Sequence, residues 1–192
     1  DLTIKSFARF AVDKPDTMLY LNMGGKDLGW DVKALFKHEF EKMGVNPAGR
    51  LAMTTQSEIN YQNAPSDEML NIIYNATDVG LNTANGEGWG LVSFEHAACK
   101  KPQVVPKHTA CEDIWQEAAL LADIASWITD KDLGLERGLV DVNSVADNLT
   151  KLYSFPEEYD LVAEACHAVT QRAEYRWENV ANSFSEIVEK VL

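Results

Sequence analysis

The sequence is short of positive charge. It has 17 Lys and Arg against 30 Asp and Glu, for a net charge of −13. Non-specific nucleic-acid binding rests on Lys and Arg neutralising phosphates, so this balance argues against it. A small phosphorylated ligand is still allowed, because a few backbone N–H groups at a helix N-terminus hold an anion even on an acidic protein. Cysteine is scarce too. Cys99, Cys111 and Cys166 are odd in number, widely spaced and form no CxxC pair. That pattern excludes a disulfide framework and a zinc site, and points to buried thiols in a reducing compartment such as the cytoplasm. His38, His96, His108 and His167 show no HxxxH-type pairing, so no metal constellation is visible. No apolar run reaches the roughly 18 residues of a membrane span, and no signal-peptide pattern opens the chain. The first residue is Asp, so the sequence is expected to begin mid-protein. Peripheral attachment of the longer protein to a membrane stays open.

What is present fits one globular domain. The chain has 192 residues, 46% of them apolar, enough for a sizeable core. Ile4, Phe7, Ala8 and Ala11 recur at helical spacing, and Pro15-Asp16 stop that helix. Met18 to Met23 reads as a strand. Asp31 to Met43 reads as a helix with Val32, Leu35, Phe36, Phe40 and Met43 on one face, ended by Gly44. Leu51 to Thr55 is a short strand. Ser66 caps a helix with an acidic first turn, Asp67-Glu68, running to Asn75. Val79 to Asn82 is a strand, Asn85 to Gly88 a Gly-rich loop, Leu91 to Cys99 a helix and Val104 to Pro106 a strand. A mixed region from Leu120 to Val142 precedes a helix from Ser144 to Leu152 and two helices from Pro156 onward. Alternation of this kind predicts an α/β, Rossmann-like three-layer domain over residues 1–192, with a parallel sheet covered by helices on both faces. Ligands in such folds sit at the carboxyl ends of strands, which is where the loop after Leu81 lies.

That loop carries the chemistry. Gly86, Gly88 and Gly90 alternate with Asn85, Glu87, Trp89 and Leu91. Glycines let a backbone approach a ligand closely, and the free N–H groups of a helix starting at Leu91 point back at the loop. The geometry suits a pyrophosphate. Glu95, one turn into the helix, can accept two hydrogen bonds from a vicinal diol such as a ribose, and Glu87 can do the same for a sugar. The same pattern also serves as a plain turn, and a glutamate in a first helical turn is ordinary dipole compensation. Spacing alone leaves both readings open.

Glu87 and Glu95 stand seven residues apart in Glu-Gly-Trp-Gly-Leu-Val-Ser-Phe-Glu, followed by His-Ala-Ala-Cys-Lys-Lys-Pro-Gln-Val-Val. This stretch resembles the E-x7-E motif and the segment after it in GT-B glycosyltransferases of the family-4, or group 1, type. Phe7-Ala8-Arg9-Phe10 with Pro15-Asp16-Thr17, Tyr74 to Val79, and Trp177-Glu178-Asn179-Val180 resemble further stretches of that family. The resemblance spans nearly the whole chain, and the spacing of its middle is similar to members from large DNA viruses. It implies the carboxyl-terminal half of a GT-B fold and a retaining transferase that needs no metal or cofactor beyond a GDP- or UDP-linked sugar donor. By the resemblance, Glu87 would contact the transferred sugar near the reacting carbon as the catalytic residue. Gly90 and Leu91, with Gly88 and Trp89, would receive the diphosphate and the sugar. Glu95 would hold the ribose, and Ala64-Pro65 would lie beside the base.

The sequence departs from the family at three places. Lys100 stands where a Gly is usual. Lys107-His108-Thr109-Ala110 replaces a Gly-rich turn. The family's diphosphate-clamping Arg and Lys, and its acceptor-binding amino-terminal domain, would precede Asp1. By that implication these residues bind a donor but do not transfer its sugar, and a glycan acceptor is met by the other domain. In the family the last helix often packs back on that domain. The apolar face of the last helices, residues 156–192, with Val180, Phe184, Ile187, Val188 and Val191, then predicts self-association. The competing readings are a non-catalytic Rossmann-like interaction module and a GT-B relative of another class, such as a nucleotide-sugar epimerase.

Overall fold

The computed structural model describes residues 1–27, 30–54 and 65–191. The chain runs α1 (Leu2–Phe10), β1 (Leu19–Leu21), β2 (Lys26–Asp27), β3 (Trp30–Asp31), α2 (Val32–Lys42), β4 (Leu51–Met53), α3 (Asp67–Ala76), β5 (Gly80–Leu81), α4 (Leu91–Ala98), β6 (Gln103–Pro106), α5 (Thr109–Trp115), β7 (Leu120–Ala122), β8 (Ile124–Asp130), β9 (Leu135–Val140), α6 (Val142–Ser154), α7 (Pro156–Thr170), a 3-10 turn (Ala173–Tyr175) and α8 (Trp177–Val191). Local chemistry sets the helix ends. Asp31 accepts a hydrogen bond from the Ala34 N–H, Ser66 from Met69 and Asp141 from Asn143, each satisfying an otherwise unpaired first-turn amide. Pro156 opens α7, and Gly44 follows α2 with φ of +72°.

The fold is α/β, with parallel strands between two helical layers. On one face α1 packs against α2 and α6; on the other, α7 packs against α4 and α5, and α3 against α4. The core is aromatic under α1 and α2, where Phe36 and Phe40 stack with ring centres 4.2 Å apart and Phe7 lies 6.0 Å from Phe40. It is aliphatic along β6, whose four residues are all buried.

Among the described residues the parallel sheet is in two pieces. It consists of a parallel pair, β4-β1, and a parallel triplet, β5-β6-β7. Among the described residues no strand joins the two pieces. A cleft of about 810 Å³ lies between them, lined by Leu19 to Leu21 on one side and by Gly80 and Leu81 on the other.

The region from Leu120 to Val142 resolves into β7 and an antiparallel hairpin, β8-β9. Asp130 builds its turn by accepting from the N–H groups of Asp132 and Leu133, and Gly134 closes it with φ of +65°. The hairpin is the largest element that periodicity did not reveal.

Candidate functional site

The site forms where β5 ends. Asn82 follows that strand, and its side-chain oxygen accepts a hydrogen bond from the Ala84 N–H at 2.8 Å, turning the chain into the glycine loop. Gly88 is exposed. Gly90 is buried, with φ of +83°, and caps α4 at its N-terminus. A Cβ at position 90 would meet its nearest neighbours at 3.7 and 3.8 Å, which is ordinary contact. The left-handed backbone, not crowding, is what favours glycine there. Leu91 opens the helix with its side chain 65% exposed, and the first amides of α4 have no intrahelical partner.

The two carboxylates are held in different ways. Glu95 is exposed, and the Tyr74 hydroxyl, on α3, donates to its Oε2 at 2.8 Å. Burial, then the hydrogen bond to Glu95 and its charge, raise the Tyr74 pKa, so the phenol stays a donor. Glu87 is half-buried and borders the cleft between the sheet pieces. The Asn82 side-chain amide donates to its Oε1 at 3.2 Å. Both backbone groups of Glu87 are also occupied. Its N–H donates to the Thr109 hydroxyl at 3.1 Å, and its carbonyl accepts from the Ala110 N–H at 3.3 Å.

The remaining expected site residues divide. The Trp89 ring packs on Phe94 at 5.4 Å and edge-on against Tyr175 at 5.0 Å, within the aromatic cluster above Trp115. Pro65 is half-buried just before α3, and Ala64 lies outside the described residues. Among the described residues no three His, Cys, Asp or Glu side chains group in a metal-binding arrangement. Cys111 is fully buried beside the site, where burial and then Glu87 push its thiol up to about 12. It is an inert packing group.

Nothing in the local sequence marks Asn82, His108 or Thr109 as site residues beyond the departure from a Gly-rich turn at 107–110. Lys100, where the family resemblance puts glycine, and Thr109, in the stretch that replaces a Gly-rich turn, have φ of +59° and +51°. A β-branched residue in that region carries about 1–3 kcal/mol of strain. Lys100 pairs with Glu164 on α7 at 2.9 Å, with both side chains exposed, so it serves the surface and not the loop.

Burial lowers the pKa of His96 and His108 from 6.5. His96 stacks on Tyr74 and meets the Thr77 hydroxyl at 3.1 Å. A folded-state pKa below the unfolded one means that the unfolded chain binds more protons. The stabilisation is complete above the unfolded value and is lost as pH falls through the folded value. The melting temperature is therefore expected to be flat down to about pH 6.5 and to fall below it, before the carboxylates titrate. Replacing both histidines with Gln should flatten that limb of a melting-temperature series. A limb unchanged in the double variant would contradict the assignment.

No family model matches the sequence, and no curated protein matches it. Solved structures do. A sucrose-phosphate synthase from Thermosynechococcus elongatus aligns with 98% of this chain and 42% of its own, at TM-score 0.66 and 18% identity. An Anabaena protein, HepE, solved in complex with UDP and glucose, aligns over 98% of this chain and 44% of its own, at TM-score 0.66 and 14% identity. The carboxyl-terminal domain of a group 1 family glycosyl transferase, LpcC, from Francisella tularensis aligns over 86% of this chain and 75% of that one, at TM-score 0.59 and 18% identity. The fold is the Rossmann-like carboxyl-terminal half of the GT-B architecture. At these identities the likeness establishes the fold alone, and the chain spans less than half the length of the synthase and of HepE. No helix among the described residues is long and apolar enough to cross a membrane.

Proposed function

We propose that the chain is the donor-binding half of a retaining, metal-independent glycosyltransferase that takes a UDP- or GDP-linked sugar. One arrangement carries the reading. The glycine loop turns at Gly90 into the free amides of α4, with the held carboxylate of Glu87 on one side and that of Glu95 on the other. The amides of Gly90 and Leu91 receive the diphosphate, Glu95 the ribose diol and Glu87 the sugar hydroxyls near the reacting carbon. Gly88 and the Trp89 backbone let the sugar approach, and Ala64-Pro65 flank the base. Charge develops on the leaving diphosphate as the glycosidic bond breaks, and donors already aimed at it lower that barrier. That a fold neighbour was solved with UDP and glucose supports a nucleotide and a sugar as the ligand class. Transfer to a glycan acceptor draws on a second domain of the GT-B architecture.

Calorimetry with UDP and GDP tests the reading. Binding of one of them at millimolar concentration or tighter is expected. Absence of binding by both, in this chain and in the full-length protein, would leave the non-catalytic interaction module, which the net charge of −13 favours.

The same reading accounts for α8. Trp177 and Val191 are 85% and 81% exposed, Phe184, Ile187 and Val188 are also exposed, and none of the helix is buried. An apolar stripe of this kind promotes association. Light scattering over a concentration series should show a rising mass, and a strict monomer throughout would count against it.

A further inference from the structure

We propose that His108 and Thr109, locked in place by the β8-β9 hairpin, are positioning residues that set the place of Glu87 and thereby the sugar subsite of the donor pocket. The inference deepens the donor-binding reading and rests on it. Its physical basis is a one-directional chain of hydrogen bonds. The Ala84 carbonyl can only accept, and His108 Nε2 lies 3.1 Å from it, so that nitrogen carries the proton. Nδ1 of the neutral ring is then an acceptor, 3.0 Å from the Thr109 hydroxyl. The hydroxyl spends its proton on His108 and uses a lone pair to accept from the Glu87 N–H at 3.1 Å. With the Ala110 N–H on the Glu87 carbonyl, both backbone groups of Glu87 are tied to 109–110.

The hairpin closes the other side. The Gly138 N–H donates to the Asn85 carbonyl at 3.0 Å. A Cβ at position 138 would stand 2.9 Å from His108 Cδ2. The Trp127 ring meets the imidazole edge-on at 5.7 Å, and the histidine is 2% exposed. Loop residues Ala84, Asn85 and Glu87 are thus each tied by a partner from 107–110 or from β9. This also explains why a threonine occupies a left-handed position. Glycine would relax the backbone but would remove the hydroxyl that joins His108 to Glu87.

The test compares Thr109→Val, which keeps the shape and loses the hydroxyl, with Thr109→Ser, which keeps the hydroxyl. Two readouts are taken: hydrogen exchange of the Glu87 amide by NMR, and affinity for UDP and UDP-glucose, with GDP and GDP-glucose if guanine is the base bound. Thr109→Val should speed exchange of the Glu87 amide about tenfold and weaken the sugar nucleotide about tenfold, while the free nucleoside diphosphate, held by Glu95 and the α4 amides, changes little. Thr109→Ser should restore both. His108→Gln supplies a second entry to the same network if the valine variant does not fold, and should act in the same direction. Unchanged exchange at Glu87, a serine variant that behaves like valine, or equal losses for the free and the sugar-linked nucleotide would each overturn the proposal. If no variant and no wild-type chain binds nucleotide, yet Glu87 exchange responds as described, the positioning stands and the donor reading falls.

Discussion

Replacing Glu95 with alanine is expected to weaken nucleoside diphosphate binding by about ten- to a hundredfold, with little change in melting temperature. A carboxylate that accepts from both hydroxyls of a ribose makes charge-assisted hydrogen bonds, and their loss costs about 1.5–3 kcal/mol. The side chain is exposed and contacts Tyr74 through its hydroxyl, so stability depends little on it. Glu95→Gln keeps the shape and part of the accepting capacity, and should fall between alanine and wild type. Tyr74→Phe removes only the group that aims the carboxylate, and should cost less than either. Titration calorimetry with the diphosphate that wild type binds checks the series. An alanine variant that binds like wild type would remove Glu95 from the ribose and leave Tyr74–Glu95 as a surface contact between α3 and α4.

Phe40→Ala is expected to be the most damaging change to the fold itself, at about 3–5 kcal/mol. Phe40 is fully buried. It stacks on Phe36, touches Phe7 and carries the Arg50 guanidinium 5.7 Å from its ring centre. Arg50 in turn donates to the carbonyls of Lys14 and Thr17 at 2.7 and 2.5 Å, the turn between α1 and β1. A cavity under Phe40 therefore loosens both α2 and the start of the sheet. Domains of this kind have about 5–15 kcal/mol in total, so the variant should lose a large share of its stability. Urea unfolding would show this as a large drop in midpoint. Phe184→Ala, at an exposed position on α8, should move it by less than about 0.5 kcal/mol. Equal shifts in the two variants would mean that the aromatic cluster is not where the stability resides.

The elements that were legible in the sequence are those whose signals are local. Ser66 with Asp67-Glu68, Gly44 and Pro156 mark helix ends through groups a few residues away, and the structure places helix ends at all three. The buried strand β6 reads as a continuous apolar run because both its faces are covered. The β8-β9 hairpin was not legible for a related reason. Five central residues of β8 are exposed, so no alternation of apolar and polar residues is imposed on that strand, and the two-residue period that betrays a half-buried strand is missing. The break between β1 and β5 lies beyond any local pattern, because each strand is well formed against its other neighbour.

The site divides along the same line. Glu87, Gly88, Gly90, Leu91 and Glu95 lie within nine consecutive positions, and a strand–loop–helix junction brings them together by chain connectivity, whatever the rest of the molecule does. The Trp89 ring packs against Phe94 and Tyr175, and Tyr175 is contributed from 86 positions away. The ties that hold Glu87 also come from a distance. Thr109 is 22 positions away, and His108 is 24 from Ala84. Their roles depend on a backbone angle at Thr109 that its side chain disfavours and on a glycine at 138 that leaves room for an imidazole. Local residue preferences set where helices begin and where a loop can approach a ligand. Only packing between distant segments could choose the rotamer, the tautomer and the strained dihedral that turn the loop into a defined site.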